Sequence, residues 1–594
     1  MQSRNFAAAN EIRPQGWLKR QLMLQADGLC GHLDKIWPDV RDSAWIGGGR
    51  EGWERVPYWL DGFIPLAWLL GDEDLKARAG RYIDAILSFQ RPDGWLCPCK
   101  DAERARYDTW ALQLISKVLV VYYECSGDER VPDALYRCMR NYYALLKSGE
   151  IRLFDWGKYR WFETFIALNF LYARYGEDWI ADLARLLRAQ GFDYETACRR
   201  WTRPKRKWRY DTHVVNLAMM LKEEAVTAPL LGGYARGKAG RLWAQLDRYN
   251  GTPVGTFTGD ECLAGLSPTQ GTELCAVAEL MYSYALLYAA TGDPKWAELL
   301  ELAGFNALPA ALSDDMWAHQ YVQMSNQIAC QKLKGRPIFM TNSGESHLFG
   351  LEPNFGCCTA NFSQAFPKLA LSAFLKDGGD ILNAVPLPAV YEADGIRIAL
   401  ETEYPFKNEL HYRIVSDRDF VLKLRVPHDA QYRIRANEPR EIHIQWDAAP
   451  QITERPRGLF SVRYGALVFC VPIAYEKRRL EYTKDGVERK FPYCDYEYRP
   501  KSEWQYALSG DAFAVVQREV GDIPFSSAQP PLAIQAQADR IRWGLDRRHK
   551  SVCAKFPRST KPLGPPQQIE LVPYGCAKLR VTQLPKSRRW KKQG

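Results

Sequence analysis

Two short segments concentrate side chains able to do chemistry. GDECLAGLSPTQGTELCA (259–276) carries Asp260, Glu261, Cys262, Glu273 and Cys275, and LEPNFGCCTANFSQ (351–364) carries the vicinal pair Cys357 and Cys358. Vicinal cysteines rarely bond to each other, because the small ring strains the peptide between them. In a reducing compartment such a pair suits a shared metal or a reactive thiolate. Glu273-x-Cys275 with Cys357-Cys358 offers one carboxylate and three thiolates, a donor set suited to tetrahedral zinc. The spacing matches no ribbon or finger pattern, so these residues alone leave two readings open: a metal centre, or buried free thiols. Cys30, Cys97, Cys99, Cys125 and Cys138 match no metal spacing beyond Cys97-Pro-Cys99 and read as structural.

The elements that must position these residues fall into two textures. The N-terminal half repeats an apolar helix, a Gly-centred turn and an amphipathic helix, with turns at Gly71, Gly127, Gly176, Gly233 and Gly292. Glycine suits the left-handed residue that ends a helix, and the acidic residue beside it suits the start of the next. Six such hairpins need roughly 330 residues, the size of an (α/α)6 barrel; an open helical solenoid is the alternative. After about residue 380 the pattern alternates with period two, as in GIRIALETEY (395–404), EIHIQW (441–446), GLFSVRYGALVFCVPI (458–473) and LAIQAQADRIRWGL (532–545). Short alternating strands between Pro, Gly and Asp turns predict β-sandwich domains. The expected division is a catalytic barrel over 1–378, a first sandwich over 379–480, and a second sandwich with a basic tail over 481–594.

A chain of 594 residues with 46% hydrophobic and 25% charged residues is that of a folded, multidomain protein. Its 13% aromatic content fits large cores. The net charge of +10 is local. RRWTRPKRKWR (199–209) holds seven basic residues and KSRRWKKQG (586–594) five, and setting those twelve aside leaves −2. The run 199–209 therefore reads as a solvated loop, with contact to an anion or an acidic polysaccharide as the alternative, and a nucleic-acid partner is not expected. No apolar run approaches the roughly 18 residues of a membrane span, and the first residues lack the apolar region of a secretory signal. Fifteen scattered cysteines do not form a disulfide framework in so long a chain. These features predict a cytoplasmic protein with free thiols and no membrane partner; a homodimer is left open.

Long ordered motifs add a resemblance. GREGWERVPYWLDGFIPLAWLLGD (49–72), RPDGWLCP (91–98), THVVNLAMMLK (212–222), the 259–276 segment, YVQMSNQ (321–327) and EPNFGCCTANFSQAFPKLA (352–370) resemble glycoside hydrolase family 127, the β-L-arabinofuranosidases. The resemblance implies an (α/α)6 barrel with β-sandwich domains and Zn2+ held by Glu273, Cys275, Cys357 and Cys358. It implies a retaining mechanism with Cys357 as nucleophile and Glu261 as acid/base, Asp260 being the other candidate. It also implies a substrate pocket containing His213 and Tyr321, and an oligosaccharide or glycoside substrate. Trp53, Glu54, Arg55 and Asp61 match a family signature that serves equally as a helix entry. Two departures stand out. Tyr107 and Trp161 align with further pocket histidines of the family, and Thr359-Ala360 stands where prolines follow the cysteine pair. The catalytic set is kept while the sugar-reading set has changed, so a different furanose or a deoxy sugar is the rival to β-L-arabinofuranose. A carbohydrate-binding protein with a structural zinc is the rival from outside enzymes, and it leaves Glu261 without a task.

Overall fold

Apolar helices ended by left-handed glycines build the first half of the molecule. In the computed structural model, which describes residues 4–232, 237–333, 338–426, 431–436 and 440–591, Gly71, Gly127, Gly176 and Gly292 follow helices with φ of 65–69°. The turn expected at Gly233 lies outside the described residues; its neighbour Gly232 closes the helix Glu223–Leu231. The apolar helices Arg55–Leu70, Trp110–Ser126 and Leu274–Thr291 are buried nearly all round. Their followers are amphipathic. Asp178–Gln190, for example, buries Trp179, Ile180, Leu183, Ala184 and Leu187, the one-sided spacing of a helix with a solvent face. Trp110–Ser126 packs against both Arg55–Leu70 and Thr164–Tyr175, Leu274–Thr291 against both Val214–Met220 and Ala365–Leu371, and Ala365–Leu371 returns to Arg55–Leu70. Leu274–Thr291 is the one helix among the described residues long and apolar enough to cross a membrane, and it is 78% buried within the protein.

Six charges of alternating sign tie these helices together. Asp61, Lys117, Glu163, Lys222, Glu279 and Lys368 come from six successive helical units, and all are buried. Lys117 meets Asp61 at 2.9 Å and Glu163 at 3.9 Å; Lys222 meets Glu163 at 2.5 Å and Glu279 at 3.4 Å; Lys368 meets Asp61 at 2.6 Å. Gln364 closes the circuit, accepting from Lys368 at 2.6 Å and donating to Glu279 at 2.9 Å. The Tyr282 ring receives all three ammonium groups, with Lys368 3.9 Å from its centroid. Burial raises the Asp61 carboxyl, but Lys117 and Lys368 outweigh it and hold it below the usual range. Asp61 thus belongs to this network, not to a helix entry.

The second half is built of sheets. The expected strands are present as Ile396–Glu401, Glu441–Asp447, the hairpin Leu459–Tyr464 and Leu467–Pro472, and Leu532–Arg540. A six-stranded antiparallel sheet takes Ile12–Pro14 from the chain start as an edge beside Ala389–Ala393. A nine-stranded sheet draws strands from both sides of residue 480 and ends on Asn326–Gln327, a segment of the helical half. That last pairing fixes the stretch that carries Tyr321.

Candidate active site and metal centre

Local structure brings the two reactive segments together. Glu273 ends the strand Thr272–Glu273, paired antiparallel with Val322–Gln323, and it caps the helix Leu274–Thr291. Cys275 therefore lies in the first helical turn, and the Leu274 N–H donates to Tyr321 O at 2.9 Å. Cys357 and Cys358 open the short helix Cys357–Asn361. The GDE loop lies directly on the helix that follows His213: a Cβ on Gly259 would stand 2.0 Å from Val214 Cγ1, so only glycine permits the approach. The Val214 N–H then donates to Glu261 O at 2.8 Å.

A cavity of about 320 Å3 opens where these elements meet. Glu261 reaches into it and is held on both oxygens. Oε1 accepts from Tyr321 Oη at 2.5 Å and Asn342 Nδ2 at 3.4 Å; Oε2 accepts from Trp208 Nε1 at 3.2 Å and lies 3.0 Å from His213 Nε2. Tyr321 Oη also stands 3.2 Å from Cys357 Sγ. Asp260 points elsewhere, accepting from the Thr341 backbone at 3.3 Å, and burial pushes its carboxyl up to about 7.

The ligand atoms of Glu273, Cys275, Cys357 and Cys358 all lie within 4.8 Å of one another. Both Glu273 oxygens are buried without a hydrogen-bond partner. Burial, with Glu261 and Cys357 nearby, pushes the Glu273 carboxyl well above its ordinary range. Burial also raises Cys275 and Cys358. At Cys357 burial is outweighed by hydrogen bonds from Cys275 and Cys358 and by the Arg55 charge, which hold its thiol well below the ordinary value. An unsatisfied buried carboxylate facing three sulfurs is costly alone and is what a thiophilic cation satisfies, so these residues fit a metal of zinc's type.

His213, Tyr321 and Glu261 thus line one cavity together with Glu273, Cys275 and Cys357, and Cys358 lies within the cluster beside them. Trp53 and Glu54 line it as well, and Arg55 pairs with Glu54 at 2.8 Å and covers the Phe355 ring. Tyr107 and Trp161 are not pocket residues: Tyr107 donates to Gly52 O at 2.8 Å and Trp161 to Phe192 O at 3.3 Å. From those stretches it is Trp156 and Arg160 that face the cavity, with the Trp156 ring 5.0 Å from His213. Thr359, the first residue after the cysteine pair, donates to Leu351 O at 2.7 Å and lies 3.0 Å from His319 Nε2. The basic run is corrected in one respect, since Trp208 within it lines the cavity. All fifteen cysteines are free, and burial pushes Cys30 up to about 11 and Cys138 up to about 12, as inert structural thiols.

Sequence comparison matches the chain to no family model and to no curated protein. Its structure is similar to three solved ones, each at 14% identity. A family 127 β-arabinofuranosidase superposes with TM-score 0.68 over 100% of this chain and 99% of its own. A glycoside hydrolase does so with 0.70 over 99% and 98%, and a family 127 β-L-arabinofuranosidase from Geobacillus stearothermophilus T6 with 0.67 over 96% and 98%. The chain has the family 127 fold. That fold spans both halves, so the helices and sheets described above form the same arrangement throughout.

Proposed function

We propose that the protein is a retaining glycosidase with Cys357 as nucleophile and Glu261 as acid/base, releasing β-L-arabinofuranose from short oligosaccharides or glycosides. The observation that carries this reading is the Tyr321 hydroxyl, 2.5 Å from Glu261 Oε1 and 3.2 Å from Cys357 Sγ. The two reacting atoms can stand no further apart than those distances laid end to end. That limit lies close to the roughly 5–5.5 Å of retaining enzymes and short of the roughly 6.5–9.5 Å of inverting ones.

In the first half-reaction Cys357 Sγ attacks the anomeric carbon, a C–S bond forms and the C–O bond breaks. The electron pair goes to the leaving oxygen, which takes a proton from Glu261. In the second half Glu261 removes a proton from water, whose oxygen displaces the sulfur at the same carbon. Two displacements restore the starting configuration. Tyr321, His213, Trp208 and Asn342 hold Glu261 in place, and Trp156 and Trp208 offer aromatic faces to a sugar ring. Zinc held by Glu273, Cys275, Cys357 and Cys358 would keep the sulfurs deprotonated and spread the charge on them.

We read the helical half as an (α/α)6 barrel, supported by the six-charge circuit, and the rest as β-sandwiches beginning near 378; the boundary expected near 480 is crossed by the nine-stranded sheet, which takes strands from both sides of it. The free thiols support a cytoplasmic setting. The same mechanism on another furanose or a deoxy sugar is the second reading, favoured by the presence of Trp156 and Arg160 beside a single pocket histidine among the described residues. Hydrolysis of synthetic β-L-arabinofuranosides by reduced, zinc-loaded protein, with the first-formed sugar followed by NMR, tests the proposal. The β-anomer should appear first. Release of the α-anomer first, or no cleavage of any furanoside, would overturn it.

A further inference from the structure

The basic run 199–209 is a fixed loop. Trp201 is fully buried and donates to Asp211 O at 3.1 Å, and the Lys205 N–H donates to Leu263 O at 2.7 Å. Gly265, at φ +82°, lets Pro204 pack where any Cβ would stand 2.7 Å from its ring. On this support Arg199, Arg200, Arg203, Lys205 and Arg209 line a cleft of about 480 Å3. One carboxylate serves them: Asp211 pairs with Arg200 and, at 3.0 Å, with Arg209. Arg199 and Arg203 have no carboxylate partner among the described residues. Lys205 is half-buried, and burial draws its ammonium below the ordinary value. Among the described residues the cleft therefore sets five cations against the single carboxylate of Asp211.

The chain also sets this cleft against the catalytic cavity. Arg209 and Thr212 face the cleft, while their immediate neighbours Trp208 and His213 line the cavity. The Arg209 N–H donates to the sulfur of Cys262, the residue after Glu261, at 3.3 Å. The segment 208–213, bridged to residues 261–263, thus contributes side chains to both spaces.

We infer that this cleft is a subsite for an anionic saccharide unit, a uronate or a sulfated sugar, linked to the sugar that is cleaved. The inference rests on the glycosidase reading above. Arginine forks match carboxylate and sulfate oxygens in pairs, which suits recognition of a fixed anion better than a general attraction. A nucleic acid is the less suited occupant, because the remainder of the chain outside the two basic segments carries a net −2.

The test compares the wild type with the double variant Arg199→Gln/Arg203→Gln, both exposed positions. Three arabinofuranosyl disaccharides serve as substrates, ending in a neutral sugar, a uronate or a sulfated sugar. The ratio of kcat/KM for either anionic substrate to the neutral one should exceed unity in the wild type and fall about tenfold in the variant, the scale of one or two charge-assisted hydrogen bonds partly screened by solvent. The arm that responds identifies the anion. An unchanged ratio in both arms, with turnover intact, overturns the subsite and leaves the glycosidase reading standing. If no disaccharide is cleaved, calorimetric titration with trigalacturonate and with a sulfated trisaccharide decides the cleft alone: weaker binding of either by the variant supports it, and equal binding of both overturns it. Binding of a single-stranded oligonucleotide as tight as that of these oligosaccharides also overturns it.

Discussion

Glu261 and Asp260 are chain neighbours with opposite surroundings, and the difference assigns their tasks. Glu261 faces the cavity with four side-chain partners, whereas Asp260 is turned onto the backbone of Thr341. Glu261→Gln should slow substrates with poor leaving groups about 10²–10⁴-fold, the usual worth of general acid–base assistance. For activated aryl glycosides, whose departure needs little protonation, kcat/KM reports the first displacement alone and should suffer far less, while kcat should fall because the second displacement loses its base. Asp260→Asn should not show that selectivity; steady-state kinetics on the two substrate classes checks both. At this scale the sequence was informative where residue type carries chemistry, as for Cys357 and Glu273. It was silent on Trp156 and Arg160, on and just after the five-residue helix Asp155–Tyr159, and on Asn342 in a bend, where no spacing is diagnostic. Trp208 was masked by the charges around it.

The helices are organised by charges that their own sequences do not explain. Lys117 is a lone cation within the apolar stretch WALQLISKVLVVYYECS, and its partners Asp61 and Glu163 lie on other helices. The Gly-ended helical repeat was legible because a turn and an apolar stripe are local signals. The circuit was not, since each ion pair joins residues 46 or more positions apart. Lys117→Met leaves Asp61 and Glu163 less compensated in a water-free setting and should cost about 3–5 kcal/mol. Adding Asp61→Asn should cost less than the sum of the two single changes. Urea denaturation of the two single variants and the double variant measures the coupling.

Over the whole molecule, the site depends on contacts far apart in sequence. Asn326 donates to Gln583 O at 3.1 Å, Gln327 to Lys578 O at 2.7 Å, and Arg580 reaches Gln323 Oε1 at 3.1 Å, so the last strands clamp the segment bearing Tyr321. Such pairings are invisible to local pattern, as is the insertion of residues 12–14 into a sheet built mostly from residues 389–447. The buried cluster gives the molecule a second link between site and stability. One zinc should bind per chain by elemental analysis. Cys275→Ser or Cys358→Ser should lower its occupancy sharply, and chelation should lower Tm because a group bound only by the folded state stabilises it. Occupancy should fall in acid, where the thiolates are protonated. The central claim remains that Cys357 carries the sugar. Glu261→Gln given an activated aryl β-L-arabinofuranoside should form the C–S bond but stall before hydrolysis, since water then lacks its base. Acid-quenched protein analysed by peptide mass spectrometry should carry one arabinosyl unit on the peptide containing Cys357. Steady turnover with no adduct, or an adduct on another residue, would contradict the account.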